Sequence, residues 1–413
     1  MNGFVVAILG SMFVVSAITG LARWLNVRGL TGGVPCEFEG VFDPSEFTRS
    51  REYLRAGARL EWAREGFDLL VAAAFVLAGG FGWLDASVRG FGFGELGSGL
   101  AFLGALSLAQ GLLSLPFDVY GTFVLEARFG FNTTTPRVFV LDRLKGAALG
   151  AVLGGALLAV VLWAYARLGD WAWLGAWAAI AAFTGVMLVV APVWILPLFN
   201  RFTPLEEGAL RRAIEEYAVK KGFGLDGIFV MDGSRRSAKA NAFFTGLGKR
   251  KRISLYDTLL DKLSTDEVVA VLAHEMGHAR LGHIRKGFVL AMLKMGLTLY
   301  VLQVFLGAAG LQEAFGVAAP SAYAGLALFG LAYQPLALAL GVMANWFSRR
   351  FEFEADAYAT DAPGGGAALA SALKSLSVAN LSNLTPHALT VWLHYSHPPA
   401  LQRIRRLTTS SCG

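Results

Sequence analysis

Charge is what this 413-residue sequence has least of. Only 16% of its residues are Asp, Glu, Lys or Arg, where an ordinary protein carries about a quarter. Hydrophobic residues make up 55% and mean hydropathy is +0.52. Together these exclude the two or three soluble domains that length alone would suggest. Cysteine is nearly absent. Cys36 and Cys412 are far apart and neither sits in a CxxC pair, so no disulfide framework is implied. No internal repeat or low-complexity tract appears. Histidine is scarce as well, with six in all, yet three fall within VLAHEMGHARLGH, residues 271–283.

What the chain has in quantity is long apolar runs. Seven of them reach the roughly 20 residues that a helix needs to cross a hydrocarbon core. They lie near 4–25, 67–84, 96–116, 146–166, 172–199, 287–310 and 321–346. No Lys or Arg precedes the first, so it is read as a retained helix rather than a signal peptide. Pro192 and Pro197 predict a kink in the fifth. Gln110 and Gln334 lie within the third and seventh and are tolerable facing protein or water.

The basic residues then set orientation. The net charge of +6 could mark nucleic acid or a membrane surface as partner. Its distribution favours the bilayer, and no nucleic-acid partner is expected. The intervals 26–66, 117–145 and 200–286 and the tail after 346 are rich in Lys and Arg. The alternate loops hold Arg89, then Arg167, then none. This alternation fits an odd number of spans with the N-terminus outside and the large loop and tail in the cytoplasm.

The chain thus divides into helices one to five (1–199), a polar segment (200–286), helices six and seven (287–346) and a C-terminal segment (347–413). Segment 200–286 opens on RFTPLEEGALRRAIEEYAVKKG, an amphipathic helix pattern ending at Gly222. Short β-like runs follow, GIFVMDG, ANAFFTGLG and RISLYD, with a hairpin expected at Gly248-Lys249-Arg250-Lys251. Ser264 and Glu267 then form a capping box that starts the helix through HEMGH. The fold class expected is mainly α, a polytopic membrane protein with a zincin-like cytoplasmic catalytic domain carrying a small β-sheet.

In a helix, residues four apart lie on one face, so His274 and His278 aim two imidazoles at one point with Glu275 beside them. This is the zincin pattern, in which two His bind Zn²⁺ and the Glu is general base to a water. The metal lowers the water's pKa towards about 7 and polarises a carbonyl. Two solvent-facing His on a polar helix would satisfy the same spacing. A catalytic zinc needs a third protein ligand. His283 is nearest but lies nine residues after His274, about 180° round the helix. A metzincin would need His and Gly where the chain has Ile284 and Leu281, so His283 is expected on the surface or behind the ligands. NWFSRRFEFEADAYA (345–359) offers another candidate. Glu352 and Asp356 share a helix face, so Glu352 could complete the set and Asp356 could accept the free N–H of a ligand His. An ordinary charged helix face is the alternative. Antiparallel spans six and seven would bring Glu352 and HEMGH to the same level.

HEMGH with the distant FEFEAD resembles the M48 metalloprotease family, and the wider match is to its CAAX-prenyl-protease branch, the Ste24-type endopeptidases. Further blocks similar to that family are LPFDVYGTFVLEARFGFN (115–132), FTPLEEG (202–208), NAFFTGLG (241–248), ISLYDTLL (253–260), SRRFEFEADAYA (348–359) and HYSHPP (394–399). The resemblance extends over nearly the whole chain. It implies seven helices enclosing a water-filled intramembrane chamber with one zinc ion near its cytoplasmic end. It implies His274, His278 and Glu352 as ligands and Glu275 as base. Asn241, Ala242, Phe243 and Phe244 would hold substrate backbone by strand addition. His397 and Arg403 would lie near the site, stabilising the oxyanion or backing the ligands; His394 is given no role. The chain departs from the familiar pattern at Ala279, where Trp is common, at Glu354 for Gln and at Gln402 for Glu, which bears on substrate preference. The expected function is an integral-membrane zinc endopeptidase that removes the C-terminal tripeptide of prenylated proteins. Its expected setting is a prokaryotic plasma membrane, or the endoplasmic reticulum if the host is eukaryotic. The alternatives are a membrane quality-control protease without prenyl recognition, and a transporter or chaperone with structural zinc.

Overall fold

The long apolar runs form helices because their side chains can be satisfied by lipid while their backbone must be satisfied internally. A computed structural model describes residues 2–245 and 252–408. Its first six helices are α1 (Gly3–Arg28), α2 (Pro44–Leu77), α3 (Gly80–Gly90), α4 (Gly94–Glu126), α5 (Pro136–Arg167) and α6 (Gly169–Phe199). After the amphipathic α7 (Ala209–Lys220) come α8 (Thr265–Arg280), α9 (His283–Leu306), α10 (Ala322–Ala332) and α11 (Gln334–Ala359). The chain ends in α12 (Gly365–Ala379), α13 (Ala388–His394) and α14 (Ala400–Thr408). Five single helices, α1, α4, α5, α6 and α9, are long and apolar enough to cross a membrane. The other two expected spans are bent pairs. The break is 67° between α2 and α3 and 62° between α10 and α11. Gly79, at φ +71°, makes the first break, and Pro335 stands in the first turn after the second. Pro192 and Pro197 distort α6 over Ala191–Ile195 without ending it.

Two intervals expected as loops are largely helical. With 34 residues, α2 is about 51 Å long, well beyond a hydrocarbon core of about 30 Å. Helix α4 likewise continues to Glu126 and α5 begins at Pro136. The basic residues of 26–66 and 117–145 thus ride on helices that outrun the apolar stretch. Cys36 is disulfide-bonded, where the sequence implied no disulfide framework.

The spans pack loosely for so many helices. No more than 17% of each single span's apolar window is buried, which suits helices with lipid on one side and a cavity on the other. Several charged groups within the bundle are paired, as a low-dielectric setting favours. Arg23 meets Glu65 at 2.6 Å, while Arg64 and Arg143 both meet Asp118, at 3.1 and 2.8 Å. Glu61, Arg64, Glu65 and Asp68 form a stripe at helical spacing on α2 and line a cavity of about 440 Å³ with Gln110 and Gln334.

Segment 200–286 builds a four-stranded sheet in the order β1 (Phe202–Pro204), β2 (Gly227–Met231), β4 (Arg252–Tyr256), β3 (Ala242–Thr245). β1 corrects the expected helix, which begins only at Ala209. β3 and β4 are antiparallel, with Thr245 opposite Arg252; the turn Gly248–Lys251 lies outside the described residues. Ile253, Leu255 and Leu259 bury their side chains against Leu272 and Met276 of α8 and Ile214 of α7. The Ser264–Glu267 capping box is formed and fixes where α8 starts. α8 also lies against α11, and Gly277 permits the approach. A Cβ there would meet Tyr358 Cβ at 3.1 Å and the Ala355 backbone at 3.2 Å. Gly277→Val should therefore push α8 from α11, cost about 1–3 kcal/mol and weaken metal binding, read by thermal unfolding and metal content.

Candidate metal centre

Helix α8 aims His274 and His278 at one point, and α11 brings Glu352 to meet them. The Nε2 atoms of the two His lie 3.2 Å apart. Glu352 Oε2 is 3.5 Å from the first and Oε1 is 3.2 Å from the second. The three ligand atoms fall within 4.8 Å of one another.

The neighbours fix which ring nitrogens face inward. Asp356 Oδ1 lies 2.9 Å from His274 Nδ1, so Nδ1–H donates to it and the Nε2 lone pair points at the centre. His278 Nδ1 lies 3.0 Å from His283 Nδ1, and His283 Nε2 lies 3.2 Å from Glu354 Oε2. Glu354 accepts only, so His283 carries its proton on Nε2 and accepts from His278 Nδ1–H. The Nε2 of His278 is then also a lone pair. With both imidazoles neutral, two lone pairs and a carboxylate converge, an arrangement that repels itself unless a proton or a metal ion lies between. Glu352 Oε2 is buried with no hydrogen-bond partner. The donor set fits a metal ion with two N ligands and one O ligand.

Arg403 closes the site from behind. It donates to both oxygens of Asp356, at 2.9 and 2.6 Å, and Nη1 is 3.4 Å from Glu352 Oε2. It is only 8% exposed. Burial pushes His274 towards its neutral form, but the carboxylates of Asp356 and Glu352 outweigh it and carry the imidazole up to about 9. A metal ion must therefore displace a proton there. Burial also raises Glu275 above the usual carboxylate range, against the neighbouring His274 and His278, which lower it.

On its open side the centre faces a cavity of about 740 Å³. Glu275, His278, Glu352 and His397 stand at one part of its wall, and Leu290, Leu293, Leu297, Leu340 and Met343 form much of the rest. His397 Nε2 lies 3.3 Å from Glu352 Oε1 and its side chain is 65% exposed. Arg403 is not among the residues lining this cavity and pairs instead with Asp356. β3 ends the sheet order, leaving one backbone edge of Ala242, Phe243 and Phe244 outside the sheet. Asn241 is exposed, its side-chain oxygen accepting from Ala242 N at 2.9 Å.

A family model described as Peptidase family M48 matches residues 204–411. The chain belongs to that family. The stretch 23–201 of this M48 peptidase matches a second model, CAAX prenyl protease N-terminal, five membrane helices. Similar curated proteins include a CAAX prenyl protease 1 homolog from Arabidopsis thaliana, 33% identical over 98% of this chain and 97% of the relative. CAAX prenyl protease 1 of Saccharomyces cerevisiae is 34% identical over 91% and 88%. The Homo sapiens homolog is 31% identical over 94% and 91%. A crystal structure of S. mikatae Ste24p aligns with TM-score 0.92 and 31% identity, covering 98% of this chain and 99% of that one. The M48 peptidase is thus a multi-pass membrane metalloendopeptidase.

His283 is buried at 5% exposure and stacks on Phe351, with ring centroids 4.5 Å apart. A surface position is ruled out, and His283 sits against His278. Its partner is one of the noted departures, Glu354. Replacing His283 by Phe keeps the stack and removes the hydrogen bonds. The expected result is metal affinity about 10–100-fold weaker, measured by chelator competition. Glu354→Gln should cost less, since its amide oxygen still accepts from His283.

Proposed function

We propose that this M48 peptidase removes the C-terminal tripeptide of prenylated proteins, using one zinc ion per chain, at the cytoplasmic face of its membrane. One observation carries the substrate class: the long apolar cavity that runs from Glu275 and His278 along α9 and α11. A lipid-modified segment would bury its chain there with a peptide bond left at the metal centre. The relatives' names agree with that chemistry. The Lys- and Arg-rich intervals support the cytoplasmic side. In a prokaryote that membrane is the plasma membrane; in a eukaryote it is the endoplasmic reticulum.

Zinc held by His274, His278 and Glu352 would polarise the scissile carbonyl and acidify water beside it. The residues do the rest. The outer edge of β3, with Asn241 just before it and Ala242, Phe243 and Phe244 along it, pairs with extended substrate backbone. Glu275 accepts a proton from the attacking water as the C–O bond forms. It then returns that proton to the departing nitrogen as the C–N bond breaks. His397 donates to the oxyanion from the exposed side. Asp356 and Arg403 hold His274 in its tautomer and balance the buried carboxylates.

The test is cleavage of a farnesylated peptide and its unprenylated twin by the purified chain in detergent, with and without chelator. Chelator-sensitive release of a tripeptide, with the farnesylated peptide favoured, is expected. Equal turnover of both would replace the prenyl reading with a broader membrane protease. No cleavage of either, with stoichiometric zinc bound, would point to a structural metal.

A further inference from the structure

Among the described residues, Lys294 is the one lysine or arginine on the cavity wall. It lies within α9, an apolar span, and is half-buried. Leu290, Leu293, Leu297 and Met343 line the same cavity, whose acidic residues are Glu275 and Glu352 of the metal centre. Among the described residues its ammonium has no hydrogen-bond or ion-pair partner. A cation at such depth is costly unless an anion meets it. The described residues supply none, so the partner comes from what enters the cavity.

The spacing suggests which anion. Helix α9 begins at His283, which touches His278. Lys294 is eleven residues on, about 16 Å along the axis and within about 20° of the same face. Helical side chains lean back towards the N-terminus, here the metal-centre end. An extended segment of three residues spans at most about 10–11 Å. The remaining 5 Å or so matches what a four-carbon lysine stem can cover while leaning that way.

We propose that Lys294 receives the α-carboxylate of the substrate's C-terminal residue, and so sets the cut three residues from the end. This rests on the tripeptide reading above. The recognised chemistry is a free carboxylate carried into the cavity by an apolar C-terminal segment. The prenyl group is recognised elsewhere in the same cavity, and Lys294 does not touch the reacting atoms. It is a specificity-determining residue.

The experiment uses the full chain in detergent and two farnesylated peptides of one sequence, one ending in a free carboxylate and one in an amide. Values of kcat/KM are measured for the wild type, Lys294→Met and Lys294→Arg, with products sized by mass spectrometry. Wild type should favour the acid by tenfold or more. Lys294→Met should lose a similar factor on the acid and almost nothing on the amide, while Lys294→Arg should keep part of the preference. That non-additivity is what a direct contact produces. A structural role would instead lower both substrates equally in Lys294→Met, and would overturn the proposal. Tripeptide release by wild type without an acid preference would overturn Lys294's role and leave the substrate class standing. Cutting at other positions only would overturn the tripeptide reading and this proposal together.

Discussion

Glu275→Gln retains its metal and its thermal midpoint but loses cleavage, by at least about 10²–10⁴-fold, the usual worth of a positioned general base. Among the described residues the Glu275 side chain makes no hydrogen bond that holds α8 in place. Its neighbours on that helix, Leu272, Ala273 and Met276, are buried whatever stands at 275. Gln fills nearly the same volume at the cavity wall but cannot take a proton. Metal content, unfolding in detergent and peptide turnover together check this. Equal turnover by the variant would sink the mechanism. Loss of metal would mean that Glu275 belongs to the ligand shell, which the geometry of His274, His278 and Glu352 does not require.

Arg403→Ala should be the most destabilising single change near the site. It leaves Asp356 and Glu352 buried with no guanidinium between them. Removing one partner of a buried ion pair costs about 3–5 kcal/mol, because the remaining charge stays desolvated. The metal should weaken with it, since Asp356 then no longer holds His274 in register. Arg403→Lys should recover only part of the loss. A single ammonium cannot serve both oxygens of Asp356 and still reach Glu352. Thermal unfolding of the two variants, with metal-to-protein ratios, decides the point. A change within about 0.5 kcal/mol, ordinary for a surface position, would mean that the guanidinium does not carry this charge balance.

Several features were legible in the sequence because they are local. Hydropathy marked seven apolar stretches, since crossing a bilayer requires about 20 residues in succession. The i, i+4 spacing put His274 and His278 on one face, and Ser264 with Glu267 marked where their helix begins. Tertiary structure decided the rest. Spacing offered Glu352 and an ordinary charged helix as equal readings, and only the packing of α8 on α11 across Gly277 brings that carboxylate to the two His. Helix periodicity counted from His274 directs His283 away from the centre. The chain breaks at Gly282, φ +72°, and starts a new helix, so the count does not carry across. That break turns His283 back onto His278. The bends at Gly79 and near Pro335, and the reach of α2 beyond the bilayer, were hidden for a related reason. Hydropathy reports how apolar a stretch is, while helix length and direction are set by capping and packing against neighbours. A periodic pattern determines the face a side chain takes on its own helix. What that face meets is decided by other parts of the chain, far away in sequence.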